Sequence, residues 1–160
     1  MPPTYHGSCH CGAVRFEVTG EITDIATCDC SLCRKKNALM GKVPEAQLRL
    51  LTDWSELGLY EWNKRVAKHY FCKTCGIYTF HRKRAQPDWF SFNIHCLDDF
   101  DPANMTVRAA SGKDMTVEAP DPRPEWPGPR VTPPQPESGR AMSYRLNPPA
   151  TVGMSSALKP

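Results

Sequence analysis

Apolar and polar side chains alternate over residues 14–19, where Val14, Phe16 and Val18 are interleaved with Arg15, Glu17 and Thr19. A period of two sends the two sets to opposite faces of an extended chain, so the pattern predicts a half-buried strand. Residues 89–96 repeat it: Phe90, Phe92, Ile94 and Cys96 alternate with Trp89, Ser91, Asn93 and His95. Shorter strand candidates lie at 48–51, 57–62, 66–71 and 77–81, separated by polar turns or turns bearing Gly or Pro. One helical turn is expected, over residues 31–39. No long helical period intervenes between strands, so antiparallel pairing is expected rather than strand–helix–strand units. The fold class is mainly β. Tyr60, Trp62, Tyr70, Trp89 and Phe90 fall at strand spacing and are expected in the core.

The pattern stops near Ala119. From there to Pro160, 42 residues hold 11 of the 16 prolines and no cysteine. Pro120, Pro122, Pro124, Pro127 and Pro129 remove amide donors and fix φ, which excludes helix and central strand. The expected organisation is a compact domain over residues 4–118 and a proline-rich, extended or disordered tail over 119–160. No apolar run reaches the roughly 18 residues that a membrane span needs. Residues 1–6 show neither the basic nor the apolar region of a secretory signal. The expected compartment is the cytoplasm, where cysteines stay reduced and bind metal in preference to forming disulfides.

Seven of the eight cysteines fall into three clusters: Cys9-His10-Cys11-Gly12, Cys28-Asp29-Cys30-Ser31-Leu32-Cys33 and Cys72-Lys73-Thr74-Cys75-Gly76. A tetrahedral zinc with Zn–S near 2.3 Å requires its sulfurs about 3.8 Å apart. A C-x-x-C turn brings two sulfurs to one point, and a C-x-C pair does so where the strand bends, as Gly12 permits. The simplest pairing joins Cys9 and Cys11 to Cys72 and Cys75 in a closed, structural site. Cys28, Cys30 and Cys33 then remain as three ligands around an open fourth position, the arrangement of catalytic zinc. Other pairings satisfy the spacing, and Cys96 or a histidine could close the second site. Iron–sulfur binding also uses clustered cysteines, but the division into four and three favours two zinc ions.

Charge changes with that assignment. The formal charge of +3 counts every cysteine as neutral, and seven thiolates with two Zn²⁺ bring it to zero. Global basicity therefore gives no reason to expect nucleic acid. A zinc held by three thiolates carries net negative charge, which damps its Lewis acidity and suits a soft sulfur ligand better than hydroxide. The chemistry points to a thiol substrate rather than to hydrolysis.

At these residues the sequence resembles the glutathione-dependent formaldehyde-activating enzymes, a family that includes the centromere protein V domain. The matching pieces are Gly7-Ser-Cys-His-Cys-Gly-Ala-Val-Arg-Phe16, Cys28-x-Cys-Ser-x-Cys-Arg-Lys35, Phe71-Cys-x-x-Cys-Gly76 and Phe92-Asn-x-x-Cys-Leu-Asp-Asp99. The resemblance implies a β-tent of small antiparallel sheets pinned by zinc knuckles. It implies a structural zinc at Cys9, Cys11, Cys72 and Cys75 and a catalytic zinc at Cys28, Cys30 and Cys33. It also implies a carbon–sulfur lyase that joins glutathione to formaldehyde as S-hydroxymethylglutathione. Asp29 stands where the family more often has histidine, and Asn37-Ala38 replaces a glycine-bearing segment.

Several other groups offer two readings. Arg34 and Lys35, directly after the third ligand, could draw the carboxylates of a glutathione-like substrate to the metal or simply form a solvated turn. Lys64-Arg65 and Arg82-Lys83-Arg84 read as solvated faces. If all these patches shared one surface, a non-catalytic zinc module binding protein or nucleic acid would become the rival to an enzyme. Cys96 reads as a small core residue. His6 and His10 read as solvated, and His69, His81 and His95 lie on strand candidates, where hydrogen-bonded surface or core roles are commonest.

Overall fold

The computed structural model of the protein describes residues 1–62 and 65–113, so the expected tail, like Lys64, lies outside the described residues. Ten strands are described: β1 (Thr4–Ser8), β2 (Arg15–Thr19), β3 (Ile25–Cys28), β4 (Met40–Pro44), β5 (Leu48–Leu50), β6 (Leu57–Tyr60), β7 (Lys68–Cys72), β8 (Tyr78–Arg82), β9 (Trp89–Asn93) and β10 (Val107–Ala110). A single short helix, α1 (Ser31–Lys36), follows β3, and three-residue 3₁₀ turns precede β5 and β6 and follow β9. The strands form a three-stranded sheet in the order β1-β2-β5 and a seven-stranded sheet in the order β10-β3-β4-β9-β8-β7-β6. Pairing is antiparallel as expected, except that β10 runs parallel to β3. No described helix is long and apolar enough to cross a membrane.

The core lies between the two sheets. Val14, Phe16 and Val18 bury completely from the side of the small sheet, with Leu48 and Leu50 beside them. Val43, Tyr70, Phe80, Phe90 and Phe92 bury from the large one. Phe16 meets Phe80 edge-on across the gap, ring centroids 5.3 Å apart, a geometry the ring quadrupoles favour. Gly7 pairs with Phe16 and Gly41 with Phe92. A Cβ at either glycine would stand 2.5 Å from its partner's ring, so the missing side chain is what lets each ring lie over the neighbouring backbone.

Three expectations need correction. The strand over 89–96 ends at Asn93, whose side chain accepts from the His95 N–H at 3.2 Å and caps a 3₁₀ turn over Ile94–Cys96. His95 is accordingly exposed rather than on a strand. Arg82 is no solvated residue: it is 1% exposed, bonds Glu45 at 3.1 Å and the Pro87 carbonyl at 2.7 Å, and lies over the Phe90 ring. Strand alternation places it with Phe80 on the core face, where only a paired, hydrogen-bonded charge is tolerable. Tyr60 is half exposed because β6 is the outer strand of its sheet.

Candidate metal centre

Two turns of matching chemistry meet at the end of the small sheet. The first begins where β1 ends: Cys9 and Cys11 lie in the connection to β2, and Gly12 takes φ +78° there. The second lies between β7 and β8, with Cys72 closing β7, Cys75 in the turn and Gly76 at φ +74°. Both glycines occupy the left-handed region that a side chain would strain. The Val14 N–H points at Cys9 Sγ (3.3 Å) and the Cys75 N–H at Cys72 Sγ (3.5 Å), so backbone donors face the sulfurs. All four sulfurs lie within 4.8 Å of one another, Cys9 and Cys11 at 3.6 Å and Cys11 and Cys72 at 3.7 Å. These separations match the edge of a ZnS₄ tetrahedron and are far beyond a disulfide bond. Burial, then the neighbouring thiols, push Cys9 up to about 12, whereas Cys75, against the opposing effect of burial, is held to about 6 by N–H groups of Ile77 and Cys11. The four thiols cannot all ionise side by side unless a cation is shared among them.

The second group is built on α1. Cys28 ends β3, and Cys30 caps the helix, its Sγ accepting from the Cys33 N–H at 3.3 Å. The helix closes at Asn37 in the left-handed conformation, φ 49°, whose N–H reaches the Cys33 carbonyl. Asparagine tolerates that conformation well, so it does here what a glycine does elsewhere. Cys28, Cys30 and Cys33 bring their sulfurs within 4.8 Å, and no other described His, Cys, Asp or Glu joins the group. Burial raises the Cys28 and Cys33 thiols, while Cys30, which burial would also raise, is held below its usual range by the Cys33 N–H and neighbouring thiols. Beside the sulfurs opens a cavity of about 470 Å³, walled by Thr27, Cys28, Cys33, Arg34 and residues 109–111. That size falls within the usual range for small-molecule sites.

Chain from 110 to 113 covers this loop, which nothing in the alternation announced. Asp29 donates its N–H to the Ala110 carbonyl at 3.2 Å, and its carboxylate accepts from the N–H groups of Gly112 and, at 3.0 Å, Lys113. Those two bonds, the Gly112 one first, hold the Asp29 carboxyl below its ordinary range. Asp29 thus fastens the roof of the cavity to the cysteine loop. Asp98 and Asp99 work similarly at the four-cysteine end. Ser8 donates to Asp98 at 2.8 Å, and the His6 N–H to Asp99 at 2.9 Å, anchoring β1 beside the first knuckle.

The structure separates the remaining candidates. Arg34 lines the cavity, whereas the exposed Lys35 is not among its walls. Cys96 is buried apart from both sulfur groups, bonding the Tyr78 carbonyl, and burial pushes its thiol up to about 12. His10 is exposed. His69 and His81 pair across β7 and β8.

The two cysteine groups could hold metal ions, and sulfur donors at these separations suit zinc. Residues 4–111 match the family described as glutathione-dependent formaldehyde-activating enzyme. A crystal structure of a Rhodobacter sphaeroides protein is 37% identical, with a TM-score of 0.60 and a match covering 64% of this chain and 99% of that one. The matched region contains both sulfur groups, the α1 turn and the start of the roof, and on it the chain belongs to the family of glutathione-dependent formaldehyde-activating enzymes.

Proposed function

We propose that the protein is a zinc-dependent carbon–sulfur lyase that joins a glutathione-like thiol to formaldehyde or a related small electrophile. The observation that carries the reading is a three-sulfur group of which Cys28 and Cys33 line a cavity, while four other cysteines form a separate, complete group. Cys9, Cys11, Cys72 and Cys75 would hold a structural ion, and Cys28, Cys30 and Cys33 a catalytic one. When bound there, zinc supplies a thiophilic centre that favours the ionised form of a substrate thiol near neutral pH.

The chain's own residues do the rest. Arg34 places a fixed positive charge on the cavity wall, where a substrate carboxylate would be drawn. The adjacent Lys35 adds to that field from the exposed side of the helix. Walls from β3, α1 and residues 109–111 confine the two reactants, replacing a bimolecular encounter by a local one. In the reaction the sulfur bonds to the carbonyl carbon as the C=O π bond opens, and the proton lost from the thiol is made good on the oxygen.

Two-dimensional exchange NMR on glutathione and formaldehyde tests this. Wild type should speed exchange with the hydroxymethyl adduct relative to Cys30→Ser at equal concentration, a control needed because the uncatalysed reaction is itself fast. Equal rates across several thiols would refute the enzyme reading and leave a binding module.

A further inference from the structure

α1 carries a second chemistry on its side facing the large sheet. Lys36, one turn beyond Cys33, extends its Nζ to 2.9 Å from His69 Nδ1 and 3.4 Å from the centre of the Tyr78 ring. His69 and His81 are cross-strand partners with ring centroids 4.9 Å apart, and the Tyr78 hydroxyl bonds His81 Nδ1. Tyr70 and Phe80, which alternate with these histidines, pack into the core. The histidines therefore occupy the opposite face of the sheet, beneath the helix. One amine, two imidazoles and one phenol have been gathered in a half-buried setting beside the three cysteines.

The amine's partner is unusual. Among the described residues Lys36 meets a neutral imidazole rather than a carboxylate: burial, then the Lys36 charge, hold His69 down to about 3. An imidazole that accepts at Nδ1 carries its proton at Nε2, and among the described residues that buried N–H has no partner. His69 thus orients the amine without adding an opposite charge, and it is burial that favours the uncharged form. Burial accordingly draws Lys36 down to about 8, with the Cys33 and Cys30 sulfurs pulling the other way. A desolvated lysine with no carboxylate partner, as Lys36 is among the described residues, is the ordinary means of making a carbonyl-seeking nucleophile.

We propose that Lys36 is a covalent capture site for small aldehydes, oriented by His69. The uncharged Nζ attacks the carbonyl carbon, the N–C bond forms as the C=O π bond opens, and a proton passes from nitrogen to oxygen. The carbinolamine then loses its hydroxyl with a proton as water to give an imine, and water reverses every step. With His69 and the Tyr78 ring against the amine, the ligand class that suits the site is the smallest carbonyls. Only the use made of the captured aldehyde rests on the lyase reading: an electrophile held on Lys36 is stationed one helical turn from Cys33.

The test uses the zinc-loaded full chain at pH 7 with substoichiometric formaldehyde and cyanoborohydride, which reduces the imine to an N-methyl amine. Peptide mass spectrometry then locates the methyl groups. Lys36 should be labelled roughly tenfold faster than the exposed Lys35 and Lys73, and His69→Leu should abolish the preference. Should that variant fail to fold, urea-unfolded wild type replaces it and must likewise show none. Equal labelling of the three lysines in the native chain, or a preference that survives in His69→Leu, would overturn the assignment. No thiol substrate is present, so a failure here leaves the exchange assay standing, and a failure there leaves this result standing.

Discussion

Gly112→Ala isolates the part played by the roof over the three cysteines. A Cβ on this residue would stand 2.6 Å from Cys28 Sγ, 3.0 Å from Cys30 Cβ and 3.5 Å from the Cys30 nitrogen. Ordinary contacts of this kind are roughly 3.5–4.0 Å, so about 1 Å of overlap with the sulfur must be relieved. A free thiol escapes by rotating about its Cα–Cβ bond. A thiolate fixed on an ion cannot, and the roof must then move instead, breaking the Asp29 bonds to Gly112 and Lys113. The strain therefore falls on the metal-bound state. Overpacking of this kind costs about 1–3 kcal/mol, which weakens ion binding at the three-cysteine group roughly 5- to 150-fold. Titration with a chromogenic chelator should show one zinc equivalent released at lower chelator and the other unchanged. With only the weaker-held ion withdrawn, variant and wild type should melt close together. Unchanged affinity for the weaker ion, or equal weakening of both, would refute the reasoning.

The two sulfur groups should also part company under direct substitution. Cys72→Ser should cost much of the secondary structure, because a structural site's binding energy is folding energy and Cys72 is fully buried. Cys30→Ser should keep the circular dichroism spectrum and lose one zinc. Asp24, which pairs with Lys42 of β4 at 2.9 Å and Arg108 of β10 at 3.0 Å, has a carboxyl held far below its ordinary range, first by Arg108 and then by Lys42. A depressed carboxyl stabilises the fold above its unfolded value near 3.9 and loses that contribution as pH falls toward the native one. Asp24→Asn should thus lower stability at pH 7 by ~1 kcal/mol or less, the pairs being partly exposed, and the difference should close below about pH 4 in urea titrations.

What could be seen in the sequence was what repeats over short range. Alternation marked β2 and β9, and cysteine spacing marked both sulfur groups, because each depends on residues a few positions apart. β1, β3, β4 and β10 escaped because they lack a clean period: Val107 and Arg108 are exposed, and β4 contains Gly41 and Pro44. β10 is defined only by its partner, some eighty residues earlier. Arg82 was misjudged because its neighbours Lys83 and Arg84 made it look like a charge run, although counting by twos from Phe80 places it inside. The Asp29 fastening and the Lys36–His69 pair join residues 83 and 33 positions apart, and no local pattern encodes such a meeting.

The parallel pairing of β10 with β3 also sets an order of events during synthesis. Cys28, Cys30 and Cys33 leave the ribosome early, as one contiguous loop, yet the segment that roofs them arrives only with residues 107–113. The four-cysteine group is complete once Cys75 has emerged, before that roof exists. On a nascent chain the three sulfurs are thus exposed to solvent and oxidants longer than any others, and non-local pairing of this kind is the slow part of folding. The order favours filling the four-cysteine group first, with the chain's last described strand closing over the reactive loop only when the rest of the sheet is already in place.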